Sequence, residues 1–408
     1  AGGRPRFEAQ YETYSVDGGL VVPVTLGNRA LKPEHSREQE FGVDALLFGG
    51  RLGFTVTYAH NVTDDQILPV PLPAYTGYAS QWKNAGTVES KTWEASLDAR
   101  LVQTEDLSWS MRLLFDRTRS VITKLNNVPD FTYGVPGQAM GSVFYARAGE
   151  QIGTFYGTKF ATSCADLPQG VDCGAFAVND EGYLVWVGNG GSLSDNAWGT
   201  YSGLIIGGRP VYWGAPIMGY CTDRSTGQPT DFCRLGKTLP DYTVGLSSTL
   251  TWKGFTLYGL LNAVQGFDVY NQPLQWAVFK NYAGIMDDAG QARSSQKPIG
   301  YYGELYGVSG LKPSSPFTED GSFIKLRELS LRYTFDRQLL DAVPGLRSFN
   351  SVSLNLIGRN LYTWTDYRGY DPEVGKAGGD TGSSAIARVD GYQYPNFRTW
   401  TLGVELNF

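Results

Sequence analysis

Apolar and polar residues alternate one by one along many stretches of this chain, and that period-2 pattern restricts the fold more than any other feature. In 91–102, Trp93, Ala95, Leu97, Ala99 and Leu101 take one face while Glu94, Ser96, Asp98 and Arg100 take the other. After Thr104-Glu105-Asp106, the residues Leu107, Trp109, Met111, Leu113 and Phe115 alternate with Ser108, Ser110, Arg112 and Asp116. A helix would scatter these apolar side chains around its whole circumference, so the segments are strands. The same period marks 51–60, 242–252, 329–335 and 352–358. The chain ends on Trp400, Leu402, Val404, Leu406 and Phe408, interleaved with Thr399, Thr401, Glu405 and Asn407.

Connection lengths sharpen this. Strands are expected near 37–48, 51–62, 90–103, 106–121, 240–253, 254–267, 319–336, 349–363 and 397–408. Gly49-Gly50, Thr104-Glu105-Asp106 and Lys253-Gly254 are turn chemistry. The long links are 63–89, 122–239, 268–318 and 364–396. Tight turns that alternate with long loops put every long loop on one side of the sheet. An up-and-down outer-membrane barrel has that layout, whereas a soluble sandwich with crossing connections has no reason for it. The alternation also persists for about 10–12 residues, the span of a tilted transmembrane strand rather than the roughly 5–6 of a sandwich strand.

Composition agrees: 13% of the 408 residues are aromatic, 51 are glycine and only 18% are charged. A net charge of −6 argues against a nucleic-acid partner. No apolar run reaches the roughly 18–20 residues of a membrane-spanning helix, a test that leaves a barrel open. The fold class expected is all-β: an antiparallel up-and-down transmembrane barrel represented by about nine or ten C-terminal strands. Single-chain bacterial barrels have even strand numbers, so the expectation places further strands upstream of Ala1. It also assigns 1–36 to an extracellular loop segment, 37–408 to the barrel portion and the C-terminus to the periplasm.

Several stretches carry a family resemblance. They include Leu31-Lys32-Pro33-Glu34, Ile67-Leu68-Pro69-Val70-Pro71-Leu72-Pro73 and Gln81-Trp82-Lys83-Asn84-Ala85-Gly86-Thr87-Val88. Further along stand Gln151-Ile152-Gly153-Thr154-Phe155-Tyr156-Gly157, Gly236-Lys237-Thr238-Leu239-Pro240-Asp241-Tyr242 and Gly321-Ser322-Phe323-Ile324-Lys325-Leu326-Arg327. The tail adds Gly358-Arg359-Asn360-Leu361-Tyr362, Tyr367-Arg368-Gly369-Tyr370-Asp371-Pro372-Glu373 and Tyr394-Pro395-Asn396-Phe397-Arg398-Thr399-Trp400. In order and spacing the chain resembles the C-terminal part of the SusC/RagA-type TonB-dependent outer-membrane transporters. The resemblance implies a barrel of about 22 strands around an N-terminal plug that this sequence does not contain. It implies a SusD-like surface lipoprotein as lid and contact with the TonB complex through the absent N-terminal part. Outer-membrane lipids of a Gram-negative bacterium would surround the barrel, and import of oligosaccharides or peptides would be its work. Phe408 closing an alternating strand resembles the C-terminal signal read by the outer-membrane assembly machinery, with Trp400, Leu402, Val404 and Leu406 as the rest of it.

Cys164, Cys173, Cys221 and Cys233 lie in one long loop, in two close pairs. Oxidising surroundings favour two local disulfides over a metal site, for which CxxC spacing is lacking, but three pairings are possible. Enzyme chemistry has little material: His35 and His60 are the only histidines, and no GxSxG elbow occurs. No catalytic residue, metal or cofactor is therefore assigned, beyond a faint calcium-loop likeness in Asn179-Asp180-Glu181-Gly182. Binding has more. Tyr156, Trp186, Trp198, Tyr212, Trp213, Tyr301 and Tyr302, with Tyr201, Tyr282 and Tyr306, supply loop rings. Such rings stack on sugars or apolar side chains, or else pack the loops together or meet a lid protein. The polar strand face, with Glu94, Asp98, Arg100, Arg112, Asp116, Arg332 and Glu405, suits a wet lumen. Two other functions stay beside the importer: a structural or assembly-related barrel chain within a larger complex, and a passive porin.

Overall fold

The computed structural model describes residues 10–14, 20–133, 143–281, 283–292, 295–307, 314–373 and 388–408. Nine long strands follow one another: β1 (His35–Leu47), β2 (Leu52–Pro71), β3 (Ser80–Gln103), β4 (Leu107–Leu125), β5 (Tyr242–Trp252), β6 (Phe255–Gln265), β7 (Phe323–Thr334), β8 (Ser351–Thr365) and β9 (Thr399–Asn407). Each pairs antiparallel with its predecessor, giving an open meander whose edges are β1 and β9. All nine strands overlap the segments expected from alternation.

The tight ends form as the turn residues dictate. Gly49 and Gly50 take φ of 66° and 82°, a region that costs glycine nothing, and the Gly50 N–H donates to the Leu47 carbonyl at 3.1 Å. At the next turn, Thr104 Oγ1 accepts from the Leu107 N–H at 3.0 Å. The link from β7 to β8 stands at this same end and carries a short helix, Arg337–Ala342, capped by the Asp336 carboxylate.

Register fixes which face each residue uses. Phe54, Leu97, Phe115, Leu246, Leu257, Leu331, Leu356 and Leu402 lie on the outer face, where Leu402 is 76% exposed. Arg112 reaches Asp98 at 3.3 Å and Arg332 reaches Glu405 at 2.9 Å on the inner face. Aromatic rings bracket the apolar belt. Trp252, Phe255 and Tyr333 stand together at the tight-turn end, with centroids of Phe255 and Tyr333 4.5 Å apart. Tyr58 and Trp93 at 4.7 Å, Phe115 and Tyr242, and Tyr362 and Trp364 stand at the long-loop end. From Trp252 to Tyr242 a tilted strand climbs about 25 Å, the height of an outer-membrane apolar band.

The long strands depart from expectation in one place. β2 and β3, of 20 and 24 residues, continue well above the upper ring of aromatics. Segment 63–89, expected as a loop, is therefore mostly a protruding hairpin, with only 72–79 outside the strands. Three prolines in Pro69–Pro73 hide the period. They are tolerated because β1 pairs no further than Asp64, which leaves upper β2 as a sheet edge on that side among the described residues. In the expected 1–36 loop segment, Gln10–Tyr14 and Leu20–Leu26 form a hairpin, and Leu26 runs parallel to Gln81 of β3.

Candidate functional site

The three other long connections do not hang separately; they fold into one body above the loop end of the sheet. A four-stranded sheet orders Phe232–Lys237, Thr154–Thr158, Phe144–Ala146 and Phe131–Tyr133. A second one joins Thr318–Asp320, Asp268–Asn271 and Val389–Asp390, so that connections 268–318 and 364–396 share backbone hydrogen bonds. The core between them holds Phe144, Phe155, Phe160, Tyr270, Tyr301, Tyr302 and Phe317, with Trp198 packed against it. Residues from all three connections thus bury one another, which repays the ordering cost of such long segments.

The loop aromatics take their places accordingly. Tyr156, Trp213, Tyr301 and Tyr302 are buried, Trp186 and Trp198 half-buried, and Tyr212 exposed. Within the body the rings pack on one another: Trp198 meets Trp213 edge-on at 5.0 Å and Tyr301 at 6.1 Å. Tyr212 stays open on the hairpin Tyr201–Ile206/Arg209–Tyr212, its ring 5.7 Å from that of exposed Tyr201. Tyr282 and the side chain of Tyr306 lie outside the described residues.

Two disulfides pin this body, Cys164–Cys173 and Cys221–Cys233, with Cα atoms 6.0 and 5.8 Å apart. Of the three pairings open to the sequence, the local one forms. The Asn179–Gly182 turn meets a cation of the chain's own. Lys297 Nζ lies 2.8 Å from Asp180 Oδ1 and 2.9 Å from Glu181 Oε1, while Tyr301 donates its hydroxyl proton to Glu181 Oε2 at 2.8 Å. Burial, with Glu181 alongside, pushes the Tyr301 phenol far above its ordinary range.

Three of the motifs that carry the family resemblance converge in space, which no local pattern in the sequence shows. Lys325 and Arg327 leave upper β7 on the inner side, since Ile324 between Phe323 and Lys325 is exposed outward. Lys325, 1% exposed, donates to Asp371 Oδ1 at 2.6 Å and to Glu373 Oε2 at 2.7 Å. Arg327 pairs with both oxygens of Glu373, and Asn396 Nδ2 donates to Glu373 Oε2 at 3.0 Å. Burial alone would raise the Glu373 carboxyl, but the hydrogen bonds from Arg327 and Lys325 outweigh it and hold the group at about 2, below 4.5. The cluster clamps the 366–396 connection onto the barrel. Its signal in the sequence is paired cations two apart in a strand, with an Asp-Pro-Glu downstream; nothing local says that they meet.

Below this cap the inner face is polar. A recess of about 800 Å³ there is lined by Asp44, Arg51, Asp98, Arg100, Arg112 and neighbouring strand residues. Among the described residues no group of His, Cys, Asp or Glu is placed to hold a metal.

An antiparallel meander with a folded cap at one rim and a wet inner face matches a known architecture. The model of the TonB dependent receptor-like, beta-barrel family matches residues 2–259. The chain belongs to that family. Among its relatives are TonB-dependent receptor P3 of Formosa agariphila, 28% identical over 95% of this chain and 35% of that protein, and TonB-dependent receptor SusC of Bacteroides thetaiotaomicron, 24% identical over 93% and 32%. The chain thus spans about a third of the length of the curated relatives it matches. The RagAB peptide transporter structure shares the fold, with a TM-score of 0.62 at 22% identity over 99% of this chain and 39% of that one. The relatives are receptors and transporters rather than enzymes, and barrels of this family sit in the outer membrane.

Proposed function

We propose that this chain is the barrel-and-cap portion of a TonB-dependent importer that takes up oligosaccharides or peptides together with a SusD-like surface lipoprotein. The observation that supports it is the cap: three connections folded into one disulfide-pinned body at a single rim, above a polar lumenal face. A passive pore needs open water at that rim, not a packed core. Of the loop rings singled out in the sequence, Tyr212 and Tyr201 are exposed among the described residues and are proposed to face ligand or lid. A strain lacking the gene should fail to grow on the imported oligosaccharide or peptide as sole carbon source, with growth restored by the full gene. Unchanged growth on every such substrate, with faster leakage of small unrelated solutes in the complemented strain, would favour the porin.

The same proposal puts the cap outside the cell and the C-terminus in the periplasm. Tyr75, 90% exposed at the tip of 72–79, gives the check. A Tyr75→Cys variant should react on intact cells with a membrane-impermeant maleimide, and labelling only after lysis would reverse the orientation. Phe408, 83% exposed and 4.8 Å from the Phe349 ring, is proposed as the end of the assembly signal with Trp400, Leu402, Val404 and Leu406. Phe408→Ala should lower surface abundance of heat-modifiable barrel; a normal yield would remove that role.

A further inference from the structure

We propose that the outer face of β2, β3 and β4 carries a binding site for a phosphorylated glycolipid of the outer leaflet, built from Lys91, Arg117 and Arg119 with His60. Register puts these cations in adjoining rows on the lipid side. Trp93 lies opposite both Tyr58 and Arg117, which places Arg117 level with the upper aromatic ring. One step higher, Lys91 lies opposite both His60 and Arg119. The parity is that of Leu97, Leu113 and Phe115 below, so the row continues the apolar belt upward into the headgroup zone. Three adjacent strands span about 10 Å, the scale of a disaccharide bearing phosphates.

The charge balance calls for an anion. Lys91 and Arg119 face each other directly, an arrangement that like charges make unfavourable. Glu89 answers part of it: its Oε1 lies 2.8 Å from both Lys91 Nζ and His60 Nε2. Arg117 and Arg119 are exposed and have no carboxylate at ion-pair distance among the described residues. Two free guanidiniums beside a Trp–Tyr pair fit phosphate oxygens in bidentate fashion while the rings fix the depth in the bilayer. A neutral headgroup would leave both cations unanswered, and a zwitterionic one would bring a cation of its own to the row.

The inference rests on the orientation proposed above, and the Tyr75→Cys labelling tests that orientation separately. The experiment is native mass spectrometry of the full-length protein in detergent, titrated with bis-phosphorylated lipid A. The same titration is run with its dephosphorylated form, with phosphatidylglycerol and with inorganic phosphate. Wild type should hold bis-phosphorylated lipid A, and the double variant Arg117→Gln/Arg119→Gln should bind it at least about tenfold more weakly. Lys253→Gln, which removes a cation beside Trp252 at the opposite ring of aromatics, should bind as wild type does. Heat-modifiability of each variant reports that the barrel is folded, and Lys91→Gln provides a second, milder removal of charge. Equal binding by the double variant would overturn the site. So would equal binding of the dephosphorylated lipid, or equal competition by phosphatidylglycerol or inorganic phosphate.

Discussion

Replacing Lys325 by Met should release the 366–396 connection from the barrel, at a cost of about 3–5 kcal/mol in the local opening equilibrium. Lys325 is the buried cation between Asp371 and Glu373, and its loss leaves Asp371 without its ammonium partner in a site closed to water. Arg327 still holds Glu373, so the damage centres on Asp371. Hydrogen exchange reads it directly. Amides of 366–373 and 388–390 should exchange about 100-fold faster or more, while β5 and β6 keep their protection. Asp371→Asn added to Lys325→Met should recover part of the loss, because a neutral pair costs less to leave unpaired than one buried charge. Exchange within about threefold of wild type would show that the cluster does not clamp the connection.

The same clamp gives a pH dependence of known sign. The Glu373 carboxyl is held at about 2 in the folded cap, against an ordinary 4.5. A depressed carboxyl stabilises the folded form above its ordinary value and loses that contribution as pH falls towards the depressed one. Protection of 366–373 should therefore be level above pH ~5 and fall between about 4.5 and 2, by up to about 3 kcal/mol, less what solvent screening removes. Glu373→Gln should flatten that profile.

Tyr301→Ala should unfold the cap while leaving the barrel intact, costing about 3–5 kcal/mol for the emptied ring site. The ring packs on Trp198 and Tyr302, and the hydroxyl joins Glu181 to Asn179 Nδ2, which donates to it at 2.8 Å. Removal therefore opens a cavity and strips the Glu181 carboxylate of a donor at once. Tyr301→Phe keeps the packing and should cost only about 1–2 kcal/mol. Limited trypsin digestion separates the cases. The Ala variant should be nicked rapidly within 122–239 while the remaining barrel stays heat-modifiable, and the Phe variant should resist. Equal resistance of the Ala variant would mean that Tyr301 is no part of a load-sharing core.

The nine strands, their order and the side that carries the long connections were all determined by the sequence alone. The physical reason is local: a strand between lipid and water must alternate every second residue, and a tight turn needs Gly49-Gly50 or Lys253-Gly254 whatever the rest of the chain does. The family resemblance and the confinement of all four cysteines to one connection are local in the same sense. Only the tertiary structure decided that three of the long connections are one cap. Its core joins Phe155 to Tyr270 and Tyr301 to Glu181 across a hundred residues and more, and no periodicity encodes such meetings. It alone paired Cys164 with Cys173 and Cys221 with Cys233, and turned Tyr156, Trp213, Tyr301 and Tyr302 inward. Lys325 and Glu373 read as ordinary strand and loop charges until the chain folds back over them. A charge or a ring shows its type in sequence, but its burial depends on what other segments bring to it.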